Sequence, residues 1–222
     1  MEHKRLTLFA GHYGSGKTNI AVNYALHLAH QGKRVVIGDL DIVNPYFRTA
    51  DSAKELEAAG VDLISSRFAN SNVDLPALPQ QAYSLVQRKD AYAVLDIGGD
   101  DRGAYALGRY TPYILEENDY EMVFVANFYR PLTTTVAEAI EVMREIEAAA
   151  KIKFTAIVNN SNLGNLTTPQ DVERTFVKAE ELCKATGLKL LFTSVEQSLA
   201  KDIKGTEVFP LTLQEKYFDV KQ

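Results

Sequence analysis

The stretch Gly11-His12-Tyr13-Gly14-Ser15-Gly16-Lys17-Thr18 limits what this chain can fold into more than any other. It matches the pattern G-x-x-x-x-G-K-S/T. An apolar run, Leu6–Ala10, leads into it, and Thr18–Gln31 follows with Ile20, Ala21, Tyr24, Ala25 and Leu28 at helical spacing. A strand before and a helix after are the context that gives this pattern meaning. Glycines let the backbone curl until successive N–H groups converge on one concavity. The helix that follows adds its positive N-terminal end. Phosphate binding is the chemistry predicted for Gly11, His12, Tyr13, Gly14, Ser15 and Gly16. Lys17 is placed to bridge the outer phosphates, and the Thr18 hydroxyl to hold Mg²⁺.

Further apolar runs recur along the chain. Arg34–Gly38, Val61–Ser65, Tyr92–Asp96, Met122–Ala126, Phe154–Val158 and Leu188–Phe192 read as buried strands, the last of these being the final one. Between them, helices are expected over Ser52–Ala59, Gln80–Lys89, Thr133–Ala150 and, as one piece, Thr168–Thr186. Thr168 is the N-cap of that last helix, Pro169 its first residue and Gly187 the residue just past its end. This alternation predicts an α/β fold: a doubly wound, mostly parallel sheet with helices on both faces. With 222 residues, 46% of them hydrophobic, and no linker or repeat, a single domain over 1–222 is expected, ending in a tail from about 205 to 222.

Ligands of parallel sheets bind outside the carboxyl ends of the strands, so the residues there carry the functional reading. Asp39 and Asp41 follow the second run, and at extended spacing they share a face. Asp96 ends another run and begins Asp96-x-x-Gly99, which lets a glycine amide approach a terminal phosphate while the carboxylate holds Mg²⁺ or its waters. Asp100 and Asp101 read as caps of the segment after them. Asn159-Asn160-Ser161-Asn162 and Thr193-Ser194-Val195 lie at the same edge. Arg67–Pro79 is an irregular loop that either contacts a substrate or partner or is a plain connection. His27 and His30 read as ordinary surface histidines rather than a metal pair. Cys183 reads as core rather than nucleophile.

Bulk properties remove other classes. A net charge of −5 disfavours DNA binding through the overall field. One cysteine excludes a disulfide framework and a thiolate metal site. Neither a leader peptide nor a membrane anchor is read from the sequence, so a cytoplasmic protein is expected.

On Gly11–Thr18, the Asp39-x-Asp41 pair, Asp96-x-x-Gly99 and the strand-end asparagines, the chain resembles the MinD/ParA-type ATPases of the CobQ/CobB/MinD/ParA nucleotide-binding family. The 24-residue gap from Lys17 to Asp41 is similar to that family's spacing. The resemblance implies an ATP-binding protein that uses Mg²⁺, with Asp39 just beyond the metal's own ligands, Asp41 orienting the attacking water and Asp96 holding the metal's waters. It also implies that Asn159 or Asn160 reads the adenine edge. A partner protein or a homodimer is implied too. Two positions depart from the family's loop: Tyr13 stands where it usually has a glycine, and His12 where it usually carries a lysine that reaches the nucleotide of a second subunit. His12 cannot supply that fixed charge, and Arg48 or Arg130 is a candidate substitute. Three functions stay open at this point: a slow Mg²⁺-dependent ATPase switch, a small-molecule kinase or ligase of the dethiobiotin-synthetase type, and a non-enzymatic nucleotide-dependent scaffold or metalloenzyme chaperone. ATP rather than GTP is expected, since no N-K-x-D run is present.

Overall fold

The computed structural model describes residues 3–40, 49–65, 83–98 and 101–213. Its strands are β1 (Leu6–Ala10), β2 (Val35–Leu40), β3 (Asp62–Ser65), β4 (Tyr92–Ile97), β5 (Tyr120–Ala126), β6 (Ala156–Asn159), β7 (Lys189–Glu196) and β8 (Val208–Leu211). They form one sheet in the order β3-β2-β4-β1-β5-β6-β7-β8. Every neighbouring pair is parallel. The helices are α1 (Lys17–His30), α2 (Ala53–Ala58), α3 (Tyr83–Gln87), α4 (Asp101–Leu107), α5 (Thr111–Glu117), α6 (Val136–Ala150), α7 (Pro169–Glu173) and α8 (Phe176–Thr186).

Strand alternation decides the two layers. Leu6, Leu8 and Ala10 of β1 join one core with Leu85 of α3, Leu107 of α4, Ile114 of α5, Ile146 of α6 and Leu182 of α8. Phe9, between them in sequence, faces the other core with Ile20, Ala25 and Leu28 of α1 and Leu56 of α2. A strand covered on both sides favours apolar residues on both, which is why β1 is wholly buried and reads as a nearly continuous apolar run broken only by Thr7. This places β1 mid-sheet, with the C-terminal ends of β4 and β5 on either side of the loop that leaves it. No described helix is long and apolar enough to cross a membrane.

The structure departs from the sequence expectation in several places. The expected tail contains β8: Val208–Leu211 pairs in parallel with β7, and Phe209 stacks on Phe192 at 4.6 Å between ring centres. Its Pro210 is tolerated because β8 is an edge strand. Residues 214–222 lie outside the described residues. Strand β7 runs on to Glu196, so Thr193 and Ser194 are buried within it. The helix expected over Thr168–Thr186 is two: the Thr175 hydroxyl donates to Val172 O at 2.6 Å and accepts from Asn159 Nδ2 at 2.9 Å, which ends α7 before α8 begins. Helix α6 starts at Val136, later than Thr133, because Thr135 and Glu138 form a reciprocal capping box. Asp101 opens α4 itself, and α4 and α5 fill a segment for which only caps were expected. Strand β6 begins at Ala156 and takes in Asn159. Arg67–Pro79 lies outside the described residues, as do the first residues of the Gln80–Lys89 helix.

Candidate functional site

Between β1 and α1 the backbone turns through two left-handed glycines, Gly14 at φ +76° and Gly16 at φ +86°. Within the turn, Ser15 N–H donates to His12 O at 3.0 Å. Beyond it, Ile20 N–H donates to Gly16 O at 3.2 Å, so the helical bonding starts at once. Gly11 presses on β5: a Cβ there would stand 2.6 Å from the Val125 carbonyl oxygen. Lys17 and Thr18 are buried in the first turn of α1, whereas Tyr13 is 55% exposed. His12 turns back on the loop, its Nδ1 3.1 Å from Tyr13 O.

Neighbouring strands brace this loop from behind. The Asn160 amide nitrogen donates to Ser15 O at 2.7 Å, and its oxygen accepts from the Ser194 hydroxyl at 2.8 Å. Asn160 sits so close that a Cβ on Gly16 would fall 2.3 Å from its Nδ2. Asn159 turns elsewhere: Nδ2 donates to Thr175 Oγ1 at 2.9 Å, and Oδ1 accepts from Ser161 Oγ at 2.7 Å. Both side-chain amides, one of which was expected to offer its edge to a base, make hydrogen bonds inside the protein here. The loop after β5 also reaches the turn. Arg130 Nε donates to Gly14 O at 3.1 Å. Two buried polar groups nearby, Ser15 Oγ and Asn127 Nδ2, have no hydrogen-bond partner among the described residues.

On the other side of β1, Asp39 of β2 and Asp96 of β4 lie in register on adjoining strands, and Asp96 is paired in turn with Phe9 of β1. Both carboxylates are buried, and the equally buried Thr49 hydroxyl approaches Asp96 Oδ2 at 3.5 Å. Adjacent strands run about 4.8 Å apart, so two carboxylates meet at the sheet edge beside the loop. Asp41, Gly99, Asp100 and Arg48 lie outside the described residues.

The sequence places Ser194 at the ligand edge without showing its bond to Asn160, and it carries no signal for Thr49 or Asn127, whose neighbours come from distant parts of the chain. His27 is an exposed surface residue: Gln31 Nε2 lies 2.8 Å from its Nε2, and burial followed by the neighbouring His30 charge holds it below the ordinary histidine range. No three His, Cys, Asp or Glu side chains group as a metal site among the described residues. Cys183 packs against the core, where burial pushes its thiol up.

No family model matches this chain. It is 30% identical, over 95 residues covering 43% of it, to a probable manganese-dependent inorganic pyrophosphatase of Archaeoglobus fulgidus, and the matched stretch spans 29% of that protein. Similar solved structures include FtsY of Thermotoga maritima, with a TM-score of 0.61, 16% identity, and coverage of 86% of this chain and 61% of that one. The signal recognition particle receptor FtsY of Elizabethkingia anophelis, solved with GDP, gives 0.51 at 15% identity, covering 88% and 58%. The 54 kDa signal recognition particle protein of Aeropyrum pernix, also solved with GDP, gives 0.52 at 15% identity, covering 86% and 41%. The chain thus spans less than two thirds of each of these proteins. At such identities the likeness is one of fold. The parallel sheet and the loop after β1 define the class: this is a P-loop NTPase fold. These fold neighbours are FtsY and the signal recognition particle protein rather than MinD or ParA.

Proposed function

We propose that the chain binds ATP with Mg²⁺ at Gly11–Thr18 and hydrolyses it slowly, as a nucleotide switch for a partner protein. The observation that supports this most is the meeting of the braced loop with Asp39 and Asp96, which stand in register on adjoining strands at the same sheet edge. In this reading the N–H groups of the loop donate to phosphate oxygens, and Lys17 holds the outer phosphates. The donor set suits Mg²⁺, which takes oxygen ligands and keeps several of its waters. Thr18 would ligate through its hydroxyl, Asp96 would hold the metal's waters and Asp39 would stand just beyond the ligands, two carboxylates whose mutual repulsion a cation relieves. Bound there, the ion would offset charge on the phosphates. Asp41 is assigned to orient the attacking water. The water oxygen bonds to the terminal phosphorus, the bond to the bridging oxygen breaks, and that electron pair leaves with ADP. The water's proton passes to the released phosphate or solvent. Most of the rate gain then comes from charge stabilisation. The Gly99 amide is assigned to sense the terminal phosphate, so that the segments after β2 and β4 differ between nucleotide states.

ATP is assigned from the resemblance to MinD/ParA-type ATPases and from the absence of an N-K-x-D run. Because two fold neighbours were solved with GDP, turnover is to be measured with both ATP and GTP. The test is Mg²⁺-dependent turnover over a protein-concentration series, beside Lys17→Ala. A fall of at least about a hundred-fold in the variant is expected. Unchanged binding and turnover in Lys17→Ala would refute the assignment. ADP formed only when a small acceptor is added would move the reading to a kinase or ligase.

A further inference from the structure

The loop after β5 is built to hold one cation over the P-loop. Arg130 N–H donates to Asn127 O at 3.1 Å, and Thr133 N–H returns a bond to Arg130 O at 3.2 Å. The buried Thr133 hydroxyl ties the loop's start to its end through Asn127 O at 2.7 Å. Phe128 N–H is fixed to Ser161 Oγ at 3.0 Å, and the Tyr129 hydroxyl to Asp171 O at 2.7 Å. Leu132, just after Pro131, takes a left-handed φ of 63° to close the turn. The product of this bracing is an exposed guanidinium whose Nε is anchored on Gly14 O. Its remaining N–H groups meet no acceptor among the described residues, and no carboxylate pairs with it there. A planar donor fork beside this glycine-rich loop is matched to phosphate oxygens.

We infer that Arg130 is a phosphate-contacting residue supplied by the chain to its own nucleotide, binding the terminal phosphate of a nucleoside triphosphate. This rests on the nucleotide-site reading above. It also supplies within one chain the fixed charge that His12 does not carry. An arginine there strengthens triphosphate binding relative to diphosphate and stabilises the charge that shifts as the terminal phosphorus–oxygen bond breaks.

The substitution Arg130→Gln separates this role from a scaffolding one. Its Nε2 occupies the place of the arginine Nε, so it can keep the Gly14 bond while losing the charge and the outer donors. The affinities of the 222-residue chain for a slowly hydrolysed ATP analogue and for ADP, both with Mg²⁺, are measured for wild type, Arg130→Gln, Arg130→Lys and Arg130→Ala, with the thermal midpoint of each. Expected is a loss of about ten-fold or more for the triphosphate in Arg130→Gln, with ADP little changed. Partial recovery is expected in Arg130→Lys. Equal losses for both nucleotides in Arg130→Ala with none in Arg130→Gln would reduce Arg130 to a prop for Gly14 and overturn the inference. So would unchanged affinities in all variants. Wild-type protein that binds neither nucleotide would overturn the nucleotide-site reading itself, a different result from wild-type binding that Arg130 does not affect.

Discussion

The contact between Gly16 and Asn160 gives the sharpest test of how the loop is held. In Gly16→Ala the new Cβ meets two costs. The backbone stays at φ +86°, a left-handed conformation that costs a non-glycine residue about 1–2 kcal/mol. The Cβ also falls 2.3 Å from Asn160 Nδ2, so the amide must leave Ser15 O. Breaking that buried bond and stranding its partner costs about 1–3 kcal/mol. Together the substitution is worth about 2–5 kcal/mol. Asn160→Ala removes the same bond to Ser15 O and takes one acceptor from the Ser194 hydroxyl, which keeps Asn159 O, for about 1–3 kcal/mol. The two effects share one event, the loss of the amide from Ser15 O. In the double variant the added methyl has no amide to displace, so only the backbone strain adds to the Asn160→Ala cost. The double variant is therefore expected to fall short of the sum by about 1–3 kcal/mol. Equilibrium urea unfolding without nucleotide reads this directly, since ligand linkage then contributes nothing. Additivity within about 0.5 kcal/mol would refute the reasoning and mean that the loop is held independently of Asn160.

Gly103→Ala in α4 is expected to lower the thermal midpoint, although alanine is the better helix former by about 1 kcal/mol. A Cβ there stands 2.4 Å from the Gly98 Cα, and backbone cannot step aside as a side chain can. Thr175→Val, nearly the same in shape, removes the acceptor of Asn159 Nδ2 and the donor to Val172 O; a loss of about 1–3 kcal/mol by urea unfolding is expected. Glu117 couples stability to pH. Burial raises its pKa, but hydrogen bonds and charge from Arg5 and Lys89 outweigh burial and hold it below the ordinary glutamate range. A lowered folded pKa gives stability that is full above the unfolded value and is lost as pH falls through the folded one. The stability gap between wild type and Glu117→Gln should therefore be constant above about pH 5 and shrink below about pH 4.

What the sequence made legible, and what it did not, divides along the range of the interactions. β1, the loop and α1 were readable because their signals are local: an apolar run, two glycines where φ must be positive, and a 3.6-residue periodicity. The acids were readable for a related reason, since a buried strand ending in a carboxylate stands out against its own composition. β8 was not readable. Four residues with a proline carry too little alternation, and it is pairing with β7, with Phe209 stacked on Phe192, that makes this stretch a strand. The break between α7 and α8 was hidden for the same reason: Thr175 is a passable helix residue until Asn159 bonds to it from β6. The strand-end asparagines were found by position, yet their hydrogen bonds were not, because spacing places a residue at an edge without saying which way its amide turns.

The same division of range governs the site. The loop's own sequence supplies glycines that permit many conformations, and permission alone costs entropy on folding. The single conformation comes from groups far along the chain: Asn160 on Ser15 O, Ser194 on Asn160, Val125 against Gly11 and Arg130 on Gly14 O. Three of these four stand at or just beyond the C-terminal ends of β5 and β6, next in line to β1 in the sheet. The opposite flank, β2 and β4, gives carboxylates in place of braces. So the loop is fixed from one side and faces charge on the other. A change in what occupies it is therefore expected to move the segments after β2 and β4 more than those after β5 and β6. Amide hydrogen exchange with and without MgATP checks this: protection gained mainly beyond β2 and β4 supports the polarity, and an equal gain after β5 and β6 refutes it.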